Sequence, residues 1–275
     1  MNKKLLHIFR NTPFGRETFL QSLYFCKKVR VMPIVYIPET TKFLMYFAQD
    51  AVQVDLDNSY LTSPESSVKH ATELFEANNF KPVFFEPKNF TASTLPDIPT
   101  NFDFVCLPRS ISDLSSKIGL GHLGPKVRRI VKTANFPTLI TSPVFKEWKS
   151  IAIFFGGSEN AVKAAKLGLR IGKAADLPVR LYTIKEKDEK YYRNLLKDSG
   201  LEDEFNKDAD DWHFLENNPF KEVLYEIPHD ALIVLGAFGH GIIKDLVFGS
   251  KMEKIQSILT NNLLIAGPNC TVPYL

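Results

Sequence analysis

Two prolines set the strongest limit on how this chain can fold. Pro33 and Pro178 stand 145 positions apart, and Phe9 and Phe154 share that offset. Further along, Pro143 and Pro268 correspond, as do Gly124 and Gly249, at an offset of 125. The same succession surrounds each first member. Lys4–Phe9 is an apolar strand pattern, Arg16–Lys28 carries Phe19, Leu20, Leu23 and Cys26 on one helical face, and Val31–Ile37 is again strand-like. In the second copy Ile151–Phe155, Ser158–Ala175 and Pro178–Ile184 repeat strand, helix and strand. Alternating strands and helices of this length form parallel sheets with helical crossovers. A repeat at this period predicts that the unit is present twice. The predicted fold is α/β, as two tandem doubly wound units, residues 1–144 and 145–275, with a short linker near Pro143–Trp148.

The offset shrinks between the two ends, so the first copy holds roughly twenty extra residues. They are expected in Glu39–Thr62, as a long loop or an extra helix ahead of Ser63-Pro64, a cap and first-turn pair. Asn218-Pro219 predicts another helix start, over Phe220–Ile227. The seven residues Asn269–Leu275 are expected to be loosely held.

Net charge is +3, from 34 basic and 31 acidic residues interspersed along the chain, which argues against a nucleic-acid or membrane footprint. Cys26, Cys106 and Cys270 are far apart and odd in number, so neither a disulfide framework nor a metal spacing is expected. Met1–Phe14 lacks the pattern of a secretory leader, and no run is long enough to span a bilayer. The expected location is the cytoplasm.

The chemistry points to Gly236–Pro268. Ala231–Leu235 reads as a buried strand, and Gly236 and Gly239 fall at its end. Gly249 stands ten residues on, with Ser250 opening a helical pattern over Ser250–Asn262 that carries Met252, Ile255, Ile258 and Leu259. Glycines let backbone N–H groups approach an anion closely, and a helix start adds free N–H groups. A glycine-rich turn followed by an ordinary serine cap satisfies the same pattern, and the residues alone leave both readings open.

The spacing Gly236-x2-Gly239-x9-Gly249-Ser250, with a strand before it and a helix, an apolar strand and Pro268 after it, resembles the nucleotide-binding signature of the universal stress protein family. The resemblance covers Lys149–Pro268. It implies two flavodoxin-like units, each a five-stranded parallel sheet of order 3-2-1-4-5. It also implies ATP, with magnesium, as ligand and conformational signal in stress adaptation. The positions it assigns are Leu235, Gly236, Phe238, Gly239, Gly249, Ser250, Lys251 and Met252, with Gly156 at the end of the first strand. Thr183 and Ile184 would line the base pocket. The implied partners are an adenine nucleotide and the other half of the chain, packed as a pseudo-dimer through the closing strands Thr138–Thr141 and Leu263–Ala266, with a further homodimer open.

Family members that bind ATP usually carry Asp where this chain has Gly156, and Asn11 is the first-half counterpart. The first half departs further. Pro108-Arg109-Ser110 replaces the glycine pair and Pro125 stands at the place of Ser250. That half is expected to be structural or regulatory, with Arg109 placed to meet an anion from the other half. Gly119-x-Gly121-x2-Gly124 follows no strand, and Gly168-x3-Gly172-Lys173 falls within a helical pattern, so neither reads as a phosphate loop. His240 reads as an exposed loop residue. No catalytic constellation stands out. A scaffold that binds no nucleotide and a slow ATPase are the alternative functions.

With the phosphate pattern intact and the base carboxylate missing, affinity should follow the phosphates. Titration should give ATP and GTP dissociation constants within about tenfold of each other, and much weaker AMP. AMP binding as tightly as ATP would contradict this division.

Overall fold

The structure is a computed structural model, and it describes residues 3–47, 50–87, 94–109, 111, 123–216, 225–238 and 260–275. The chain opens with β1 (Lys4–Ile8), α1 (Pro13–Val29) and β2 (Met32–Tyr36). Thr12 caps α1, its hydroxyl accepting from Gly15 N at 3.0 Å, with Pro13 in the first turn. Then come β3 (Lys42–Phe47), β4 (Asp50–Asp55), a short 3-10 turn at Asn58–Tyr60, and α2 (Pro64–Ala77). The first half ends with β5 (Asp97–Pro99), β6 (Phe104–Leu107), α3 (Pro125–Thr133) and β7 (Thr138–Ile140).

The second half repeats the plan with β8 (Ser150–Phe154), α4 (Glu159–Ala175) and β9 (Val179–Ile184). It continues through α5 (Glu189–Asp198), α6 (Glu202–Asp208), β10 (Asp211–Leu215), β11 (Ala231–Gly236) and β12 (Leu263–Ala266). The spacing Gly168-x3-Gly172 lies inside α4. A Cβ at Gly168 would come within 2.4 Å of Ile153, so the glycine lets the helix settle on the sheet.

Nine strands form one sheet in the order β10-β9-β8-β11-β12-β7-β6-β1-β2. Within each half the pairs are parallel. Between the halves, β12 and β7 pair antiparallel, with Leu264 opposite Leu139. Counted within the second half, the strand order is the doubly wound 3-2-1-4-5. The first half departs from the expected five strands. Among the described residues it contributes four, and beside β2 there is a single bridge, Val35 to Phe84.

The predicted loop or helix at Glu39–Thr62 is instead a β-hairpin. β3 and β4 pair antiparallel, and β5 adds in parallel to make a separate three-stranded sheet. Phe43, Met45, Phe47, Val52 and Val54 turn inward and join the apolar layer on one face of the large sheet. Lys126 and Arg129 of α3 pair with Asp55 and Asp50 of β4. The opposite face of the large sheet packs against α1 and α4.

The chain between the halves is held down. Phe145 N and Lys146 N donate to Glu17 and Gln21 of α1, and Tyr24 donates its hydroxyl to Trp148 O at 2.9 Å. The expectation of a loose tail is corrected. Arg170 of α4 donates to the carbonyls of Val272 and Pro273 and lies 4.1 Å from the centre of the Tyr274 ring. Thr271 N donates to Asn135 O, tying the tail to the first half. Asn218-Pro219 and most of Ser250–Asn262 lie outside the described residues, as do both residues of the 119–121 pair.

His7 sits in the middle of β1, fully buried, its ring 4.9 Å from that of Phe19, and neither ring nitrogen has a hydrogen-bond partner. Burial pushes its pKa down to about 3, from 6.5. The unfolded chain therefore binds the extra proton throughout that interval, and the folded chain does not. Stability should fall as the pH drops below about 6.5, by up to about 1.4 kcal/mol per pH unit. His7→Phe should flatten that limb in urea titrations run between pH 7 and pH 4; an unchanged pH profile would contradict the assignment.

Candidate functional site

In an open parallel sheet the crevice lies at the carboxyl ends of the strands, where the winding reverses. In the second half the chain steps from β8 outward to β9 on one side, and returns through β11 to β12 on the other. The reversal therefore falls between β8 and β11. Gly156 and Gly157 follow β8, and Ala237 and Phe238 follow β11.

Local rules shape both turns. Gly157 has φ 78°, and Ser158 then caps α4 by accepting from Ala161 N at 3.2 Å. Phe238 has φ 59°, a left-handed conformation that few side chains adopt. Such a residue turns successive backbone groups sharply, the geometry from which anion-binding nests are built. The two turns are tied together by Asn160, whose side chain donates to Ala237 O at 2.6 Å. Asn160 was not singled out in the sequence. Its place two residues after a serine cap was the available signal.

Gly236 is brought to this junction, and the geometry supplies a packing reason for it. A Cβ there would lie 2.3 Å from the backbone C and O of Asn160. The first turn of α4 therefore crosses the end of β11 directly. Leu235 and Ile184 are buried in the apolar layer on one face, which also takes in Phe154 and Tyr182, and Phe238 packs on it. Thr183 turns to the other face. Its hydroxyl donates to Phe155 O at 2.8 Å and accepts from Trp212 Nε1 at 2.9 Å. The structure thus brings Gly156, Gly236 and Phe238 together, places Leu235 and Ile184 beneath them, and turns Thr183 inward. Gly239, His240, Gly249, Ser250, Lys251 and Met252 lie outside the described residues.

At the outer rim Lys185 pairs with Glu216, and this pair raises the Lys185 pKa. Arg109 lies elsewhere. Its guanidinium donates to Asn261 O at 3.0 Å, at the start of β12. Because the halves run antiparallel, that is the amino end of the second half's strands, opposite the crevice. The expectation that Arg109 meets an anion of the other half at this site is corrected on that ground. Burial lowers the Arg109 pKa to about 10. Among the described residues no group of three or more His, Cys, Asp or Glu could hold a metal ion, and no helix is long and apolar enough to cross a membrane.

A doubly wound α/β sheet with a crevice at its reversal point is the class that fold and site define. No family model matches the chain. A curated relative, a universal stress protein of Synechocystis sp., is 25% identical over 177 residues, which are 60% of this chain. The matched stretch spans 58% of that protein's own length. A universal stress protein of Archaeoglobus fulgidus shares the fold with a TM-score of 0.62 at 15% identity, over 96% of this chain and 98% of that one. A protein of Pseudomonas aeruginosa described as a universal stress protein gives a TM-score of 0.55 at 10% identity, over 98% and 94%. The chain is thus similar in sequence to a universal stress protein over part of its length, and it shares the fold of two solved universal stress proteins.

The two bonds of Thr183 tie the carboxyl ends of β8 and β9 to Trp212, near the start of β10. Thr183→Val keeps the shape and strands a buried carbonyl and a buried indole N–H, which should cost about 1–3 kcal/mol. Thr183→Ser keeps both bonds and should cost roughly 1 kcal/mol for the lost methyl. Denaturant midpoints of the two variants check the order; equal losses would show that the hydroxyl is not what matters.

Proposed function

We propose that this chain binds ATP at the carboxyl end of the second half, one site per chain, and that binding acts as a conformational signal in stress adaptation. The observation that carries the reading is the meeting of the Gly156-Gly157 turn with the left-handed Phe238 at the point of sheet reversal. Backbone N–H groups at such a junction favour phosphate oxygens. The signature spacing through Gly249 and Ser250 supports the same assignment. Leu235, Ile184 and Phe238 offer apolar surface to a base, and Gly156 offers it no carboxylate. Magnesium would enter with the nucleotide, as a companion of its phosphates.

In this reading residues 1–144 and 145–275 are two domains of one ancestry. They act as a permanent pseudo-dimer joined through β7 and β12, and a further homodimer stays open. The location proposed is the cytoplasm. A second reading has one observation in its favour: Gly236 and Thr183 are both already used by internal packing, as in a scaffold that binds no nucleotide. Calorimetry of the whole chain with magnesium and ATP separates the two. One site is expected, lost in Gly249→Val, whose branched side chain would crowd the phosphates. No heat from a folded sample, or two equivalent sites, would overturn the proposal.

A further inference from the structure

The large sheet ends differently at its two sides. On the first-half side β2 is covered: Val35 N donates to Val83 O at 3.0 Å, and Phe85 N donates to Val35 O at 2.7 Å. The hairpin guards its outer strand too, since Lys126 and Arg129 of α3 donate to the carbonyls of Gln53 and Ala51 on β4. The second-half side stops at β10, which pairs with β9 on one edge. Among the described residues no strand pairs with its other edge.

The ladder fixes which groups lie on that edge. Lys185 N donates to Leu215 O at 2.9 Å, so the odd-numbered residues of β10 bond to β9. The backbone groups of Trp212 and Phe214 therefore point outward. Trp212 N has turned to the carboxylate of its neighbour Asp211, at 2.7 Å.

Asp211–Leu215 is also close to symmetric about His213. Trp212 and Phe214 flank it on one face of the sheet, their rings stacked 4.8 Å apart, and Asp211, His213 and Leu215 share the other face. A second β10 laid antiparallel about His213 would set each Trp212 opposite Phe214 of the other copy. Such a pair exchanges both backbone hydrogen bonds and stacks aromatic side chains across the strands. On the other face each Asp211 would lie diagonal to His213 of the other copy, a carboxylate against an imidazole. Both groups are available, with 58% and 37% of their side-chain surface exposed, and within one chain they already lie 3.2 Å apart. Charges further out that would meet their like are occupied: Asp210 accepts from Val179 N, and Glu216 pairs with Lys185. The pairing would continue the sheet through a second antiparallel seam, of the kind that β7 and β12 form inside the chain.

We propose that the outer edge of β10 is a self-association surface, which pairs antiparallel with β10 of a second copy about His213. One strand edge is a small contact, so the association is weak and reversible. The inference concerns the chain without nucleotide and does not rest on ATP binding.

The test uses the whole chain. Sedimentation equilibrium should give a dimer with a dissociation constant of about 100 μM or tighter. His213→Lys, at an exposed position where lysine suits an edge strand, sets two ammonium groups against each other at the axis. This variant, folded by near-ultraviolet circular dichroism, should dimerise at least about tenfold more weakly. In the wild type, exchange of the Phe214 amide, followed by nuclear magnetic resonance, should slow about threefold between about 10 and 500 μM protein. A wild type that stays monomeric at about 500 μM overturns the proposal. So does a dimer that His213→Lys leaves intact, or one in which Phe214 exchange does not change with concentration, because another surface would then be in use. The exchange measurement needs no variant, and it decides the matter if His213→Lys does not fold. Whether ATP binds in the second half alters none of these outcomes.

Discussion

The three-residue pairing of β7 with β12 is the contact on which the remaining architecture depends. Both strands are fully buried, with Leu139 and Leu264 at 0% exposure. A strand edge in such surroundings cannot leave its N–H and C=O groups unpaired without a large cost. Each half therefore completes the other's sheet. Several polar groups around this seam are paired there, although Thr138 Oγ1, Thr141 Oγ1 and Asn261 Oδ1 are buried without a hydrogen-bond partner. Asn262 accepts from Ser142 N at 2.8 Å, and Asn261 donates to the carbonyls of Pro228 and Ala231. Arg109 reaches across to Asn261 O. Buried side chains of this kind fix register, because a slip of one residue would strand several of them at once.

The antiparallel sense of that pairing decides where everything else lies. It sends the carboxyl ends of the two halves to opposite ends of one sheet. The second-half crevice then lies beside the end of α3, whose last turn touches the tail at Gly267 and Asn269. The first-half crevice lies far from it, under its own insertion. Two ends built from one plan have thus taken different contents. One end has a small turn, Gly156-Gly157, with no side chain to fill it. The other has Arg10 and Asn11, whose side chains hold a local segment in place.

Much of this was legible in the chain itself. Paired prolines and strand–helix–strand runs gave the repeat, and Ser158 and Ser63 marked helix starts that the structure places at the same residues. The insertion was not legible as a hairpin. Its first strand, Lys42–Phe47, is apolar on both faces, which hides the alternation a strand needs in order to be recognised. Its second strand carries the alternation only across Val52, Gln53, Val54 and Asp55, too short a run to mark a hairpin. The place of Arg109 depended on the relative direction of two distant strands, which no local pattern encodes. Gly236 was read as space for a phosphate, and its neighbour in the fold is the backbone of Asn160, a tertiary contact invisible to spacing. Polar, proline-containing ends usually fray, whereas Arg170 here holds two carbonyls and a ring of the tail, a contact no local pattern announces.

The seam also sets an order for synthesis. β12 begins at Leu263 in a chain of 275 residues, yet it lies in the middle of the sheet with β11 on one side and β7 on the other. The ribosome therefore makes the central strand last. Until β12 emerges, β7 offers a bare apolar edge, and the first half waits with its closing strand uncovered. Exposed edges in nascent chains are sites of mispairing and aggregation. A chain of this design has its interval of greatest vulnerability during translation, and it ends only when β12 has been made and can pair.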